Sequence, residues 1–152
     1  MQGSRDGFGA SKFHELCDDK PNTLLISESS QGHLLGGFTS VPWRKENCKG
    51  IKDAKAFLFS LTHDTVHHII GDSPAIEHTK EGYIAIFGHG GREDLYIYDN
   101  CDQNINSSSK LGHAFELPPS ISDPNSAEAM TYLAGRHIFR VDELEVFQVE
   151  FL

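Results

Sequence analysis

The sequence predicts a mostly β domain, a sandwich of two antiparallel sheets with a few short flanking helices. Three observations carry that prediction. Short apolar or alternating runs recur about every ten residues with turn formers between them, as in antiparallel sandwiches. Strands do not alternate with long helical segments, which argues against a parallel α/β sheet. Ten Phe in 152 residues supply large apolar area for a core between two sheets.

The elements follow in order. Ser11 to Cys17 is a short amphipathic helix, with Phe13, Leu16 and Cys17 on one face and Ser11 near its N-cap. Pro21 bars its continuation. Thr23–Ser27 and His33–Phe38 form a hairpin across Ser29–Gly32. Gly36-Gly37 inside its second strand implies a bulge or a close backbone approach. Thr39–Trp43 continues extended, and Arg44–Asp53 reads as a polar loop. Ala56–Leu61 is almost continuously apolar, a strand covered on both faces. Shorter strands follow at Thr65–Ile70, Ala75–His78, Tyr83–Phe87 and Asp94–Tyr98. Asn100–Lys110 and Pro118–Ser126 are rich in turn formers and read as loops. Ala127–Leu133 has helical composition; Ile138–Val141 and Leu144–Phe151 read as closing strands.

Composition narrows the function classes. The length fits one domain over residues 1–152, able to bury a core without disulfides or metal. A net charge of −9 without a basic run is poorly suited to nucleic acid or anionic membranes. A protein partner with a basic face is the natural complement; solubility alone explains the acidity equally well. No apolar run approaches transmembrane length. Cys17, Cys48 and Cys101 are odd in number, widely spaced and without a CxxC, which suggests free thiols and a cytoplasmic location.

Chemical motifs are weak. His63 and His67 would share a helix face as zinc ligands do, but Val66, Ile69 and Ile70 favour a strand there, and no HExxH occurs. Gly88-His89-Gly90-Gly91 opens no helix, so tight backbone geometry explains it better than phosphate binding. No GxSxG elbow is present. Cys101, flanked by Asp99, Asn100 and Asp102, reads as an exposed thiol, although nearby carboxylates disfavour its thiolate. No catalytic, cofactor-binding or metal residue is assigned.

Taken in order, SRDGF (Ser4–Phe8), GGFTSVPW (Gly36–Trp43), KAFLFSL (Lys55–Leu61), FGHGGREDLYIYDNC (Phe87–Cys101), LGHAFE (Leu111–Glu116), LAG (Leu133–Gly135) and EVFQV (Glu145–Val149) resemble a TLDc domain. Set against the resemblance, the expected domain over residues 1–152 lacks the family's first N-terminal segment, ahead of SRDGF. The resemblance implies a two-sheet sandwich and a link to oxidative-stress resistance. It also implies binding to the cytosolic part of the vacuolar proton-pumping ATPase, within larger eukaryotic proteins and without an established catalytic set.

The expected function is therefore non-catalytic protein interaction. Thr39, Ser40, Trp43, Asp99, Asn100 and Cys101 are the candidate docking residues, with Trp43 reading equally as core. The alternative is a hydrolase or redox enzyme using His and Asp or Cys101 chemistry. Direct oxidation of the Cys101 thiol is a third route to stress protection.

Overall fold

The computed structural model describes residues 1–79 and 82–152. Among them the chain forms α1 (Gly3–Asp6), α2 (Ala10–Cys17), β1 (Thr23–Ser29), β2 (Leu34–Thr39), β3 (Lys49–Ile51), β4 (Phe57–Ser60), β5 (Thr65–His68) and β6 (Ile76–His78). Then follow β7 (Tyr83–Phe87), β8 (Leu95–Tyr98), β9 (Ser107–Ser109), α3 (Ala127–Thr131), β10 (Ile138–Phe139) and β11 (Val141–Gln148). One sheet runs β11-β1-β2-β4-β5 and the other β10-β9-β8-β7-β6-β3. Every strand pairing is antiparallel. The sandwich predicted from the alternating runs is the fold.

The alternation in β1 shows how sequence becomes packing. Thr23, Leu25, Ser27 and Ser29 are buried between the sheets, while Leu24, Ile26 and Glu28 face outward. On β2 the same period turns Leu35 and Gly37 inward and Leu34, Gly36 and Phe38 outward. Phe13, Phe87, Phe115 and Phe139 fill the core with no exposed surface or nearly none. Trp43 joins them, edge-on to Phe13 and Phe87, its indole N–H donating to Thr23 Oγ1 at 2.9 Å.

Gly36-Gly37 is a close approach rather than a bulge, because the β1–β2 register is continuous there. A Cβ on Gly36 would strike the Leu25 carbonyl oxygen and lie 2.7 Å from the Phe59 ring. Gly88 adopts φ +99° and packs its Cα against the Arg92 carbonyl, the tight geometry that disfavours any other residue.

Several elements depart from expectation. Lys49–Ile51 and Ser107–Ser109 are strands inside segments that read as loops. The α2 N-cap is Gly9, and its first free amide, Ala10 N–H, is taken by Asp99 Oδ1 at 2.7 Å rather than by Ser11. Ile138–Phe139 and Val141–Gln148 fall on different sheets, so the chain crosses the sandwich at Arg140.

Cys101 is also a correction: it is fully buried, not exposed. Its neighbours Asp102 and Asn100 turn toward solvent while its own side chain joins the core. Burial pushes the Cys101 thiol up to about 12 and the Cys17 thiol up to about 11. Cys48 is exposed.

Two outcomes are expected. Gly36→Ala costs about 1–3 kcal/mol through overpacking; urea unfolding measures it, and an unchanged midpoint contradicts the close approach. In timed maleimide labelling read by mass spectrometry, Cys48 reacts in the native protein, whereas Cys17 and Cys101 react only after denaturation. Native modification of Cys101 at the Cys48 rate contradicts its burial.

Candidate functional site

The first group of candidate residues sits where β2 ends. Thr39 is buried, and its hydroxyl donates to Asp53 Oδ2 at 2.8 Å. Ser40 donates to the same carboxylate twice, from its amide at 2.6 Å and its hydroxyl at 2.7 Å. Lys55 N–H adds a fourth bond to Asp53 at 3.1 Å. Burial pushes the Asp53 carboxyl up, but these donors outweigh it and hold the group below its ordinary range. Thr39, Ser40 and Asp53 thus fasten the end of β2 to the start of β4. Thr39 and Trp43 have almost no surface to offer a partner; Ser40 keeps some.

The second group follows β8. Asp99 caps α2 through Ala10 and receives the Asn100 side-chain amide at 3.1 Å. Asn100, in the left-handed region at φ 51°, donates its backbone N–H to the Phe8 carbonyl at 3.0 Å. Asn100 is exposed and Asp99 partly so. Asp99 also borders a shallow cleft of about 210 Å³ shared with Ala10, Ser11, His14, Lys45 and Gly82. Both ring nitrogens of His14 are engaged there, with Asp18 Oδ1 at 2.7 Å and the Tyr83 carbonyl at 2.9 Å. The six candidate residues therefore split: Thr39, Trp43 and Cys101 build the core, whereas Ser40, Asp99 and Asn100 reach the surface.

The histidines serve similar structural ends. His67 lies on β5 and points inward, while His63 sits in the preceding turn. His67 Nδ1–H donates to the Glu116 carbonyl at 2.9 Å, leaving Nε2 to accept from the Thr65 hydroxyl at 2.9 Å. Thr65 Oγ1 in turn lies 3.1 Å from the Tyr132 hydroxyl. Burial pushes the His67 imidazole down, so it is neutral. His63 stacks on Tyr132 at 4.4 Å and meets His33 edge-on at 5.5 Å. Among the described residues, no three His, Cys, Asp or Glu side chains gather as metal ligands, and no helix is long and apolar enough to cross a membrane.

Sequence reasoning missed the most connected side chain, Asp94. Its carboxylate has no exposed surface and accepts four backbone N–H bonds. Ala114 donates to Oδ1 at 2.7 Å; Gly112, His113 and Phe115 donate to Oδ2 at 2.8, 3.0 and 3.2 Å. Burial pushes Asp94 up to about 6, and the four amides oppose a larger rise. The carboxylate is thus mainly ionised at neutral pH with donors on every side. Nothing about an acid opening an alternating strand announces that role. The buried acids and imidazoles described here are hydrogen-bonded to backbone, hydroxyl and, for His14, carboxylate partners of the fold; His67 and Thr65 form a hydroxyl–imidazole pair, whose hydroxyl also meets Tyr132.

The sequence matches the family model for the TLDc domain over residues 2–150. The chain is 26% identical over 159 aligned residues to the MTOR-associated protein MEAK7 of Xenopus laevis. That alignment covers 90% of this chain, and the chain spans 29% of the relative's length. With nearly every residue inside the family match and the sandwich in place, the chain belongs to the TLDc domain family.

Proposed function

We propose that this domain is a non-catalytic protein-interaction module that docks a partner with a basic face. Its place is the cytoplasm, its target the cytosolic sector of the vacuolar proton-pumping ATPase, and its biological setting resistance to oxidative stress. The observation that carries this reading is how the polar groups are used. Asp53, Asp94, His14 and His67 are each occupied by hydrogen bonds that join elements of the fold, and the three with shifted acidity, Asp53, Asp94 and His67, do not border the cleft beside α2, where a shift would point to a catalytic group. The acidic balance of −9 supplies the attraction for a basic partner. Family membership and a relative named as an MTOR-associated protein support interaction rather than turnover.

A binding assay against the purified cytosolic sector of the pump tests the reading. Saturable binding is expected, weakening as salt rises from about 50 to 300 mM because exposed charges are screened. Absence of binding at low salt would rule out the pump as target.

A further inference from the structure

We propose that the outer face of the five-stranded sheet is the docking surface, and that it receives a basic amphipathic helix of the partner; this deepens the interaction reading and rests on it. The strand register builds the face. Phe147, Leu24, Phe38, Phe57 and His68 stand side by side across β11, β1, β2, β4 and β5. In the next row Ile26, Phe59 and Val66 continue the apolar carpet, with Gly36 lying under the Phe59 ring. Their chain neighbours Leu25, Leu35, Leu58 and Val146 are buried in the sandwich, so this set points outward.

Phe38 and Phe57 stack at 5.3 Å, and Phe151 meets Phe38 edge-on at 6.4 Å. Phe147 is 46% exposed, Val66 54% and Phe151 73%, while Phe38 and Phe59, at 5% and 7%, lie beneath them as the floor of the face. Contiguous apolar surface of this kind marks an interaction site more often than chance exposure does. Five strands at a spacing of about 4.8 Å make a row roughly 19 Å wide. A helix of three to four turns, about 10 Å across, matches that row.

Charge names the occupant. Glu28 on β1 stands directly opposite Glu143 on β11, and Glu145 follows on the same face. Like charges directly opposed across strands are destabilising. Among the described residues, neither Glu28 nor Glu145 accepts a hydrogen bond, whereas Glu143 accepts from the Ser4 and Leu144 amides and meets the Ser4 and Gln2 side chains, all of them uncharged donors. Arg5 is paired with Asp6 and only adds a weaker charge interaction with Glu145, and Arg140 is paired with Asp142. A carboxylate row beside an aromatic row is complementary to a helix with apolar residues on one stripe and Lys or Arg beside it. A second copy of the chain would bring two net charges of −9 together, and an anionic lipid surface would be repelled for the same reason.

The test titrates the domain with a leucine–lysine amphipathic peptide of about four helical turns, and with its leucine–glutamate counterpart, by NMR. Saturable shifts at Phe57, Phe59, Val66 and Phe147 with the first peptide only are expected. Val66→Glu and Phe147→Glu, both at exposed positions, should each weaken binding about tenfold or more. Ile105→Glu, an equal charge change at an exposed position of the loop after β8, should leave it unchanged. Equal weakening by Ile105→Glu, shifts on another face, or a dimer that Val66→Glu dissociates would each overturn the proposal. The pump sector separates the two readings. If Val66→Glu binds it as well as the unaltered domain does, this face is wrong and the interaction reading stands. If the peptide binds here and the pump sector does not bind at all, the face stands and the pump is the wrong partner.

Discussion

One buried carboxylate, Asp94, links the two sheets through a single backbone strap. Asp94 immediately precedes β8 of the six-stranded sheet, where its own N–H donates to the Phe87 carbonyl at 2.9 Å and its carbonyl accepts from Lys110 at 2.9 Å. Its side chain gathers the four amides of residues 112–115. That same segment is bonded to the five-stranded sheet. Glu116 N–H donates to the His68 carbonyl, Ile70 N–H donates to Ala114, and His67 donates to Glu116. The strap therefore takes its shape from one sheet and its anchorage from the other. A charge in the interior is tolerated only when its lone pairs are filled, and four amides fill them here. Phe115 and Ala114, pulled inward by those bonds, complete the core between the layers.

The same economy recurs at smaller scale. Asp53 ties β2 to β4, Asp99 ties α2 to the end of β8, and His14 ties α2 to the carbonyl of Tyr83 on β7. These polar ties each join elements distant in sequence through a single side chain. On the outer face of the five-stranded sheet, by contrast, Phe147 and Val66 remain exposed.

The fold was largely legible because its signals are local. TLLIS and HLLGGF carry their own alternation and turn, and AFLFSL announces a strand, β4, although the other sheet covers only the face that carries Leu58, while Phe57 and Phe59 lie on the outer face. What escaped had no hydrophobic signal. Ser107–Ser109 is a strand because it lies buried between β8 and β10, and serines take no side in a periodicity count. Lys49–Ile51 pairs only with β6 at the sheet edge. The α2 cap comes from Asp99, eighty-nine positions away, where no reading of neighbouring residues finds it. The site was less legible. The polar neighbours of Cys101 suggested exposure, but the turn they form points its thiol inward. Phe content suggested core, yet Phe57 and Phe147 sit outside the sandwich, because the period-two pattern does not say which face of a sheet another sheet will cover.

The most direct test of this account is Asp94→Ala, followed by urea unfolding and by hydrogen exchange at residues 112–115. Leaving four buried amides without their acceptor should cost about 3 kcal/mol or more, and those amides should lose protection ahead of β1 and β2. A loss below about 1 kcal/mol, with residues 112–115 still protected, would show that the sheets are joined by packing alone and that the carboxylate is incidental.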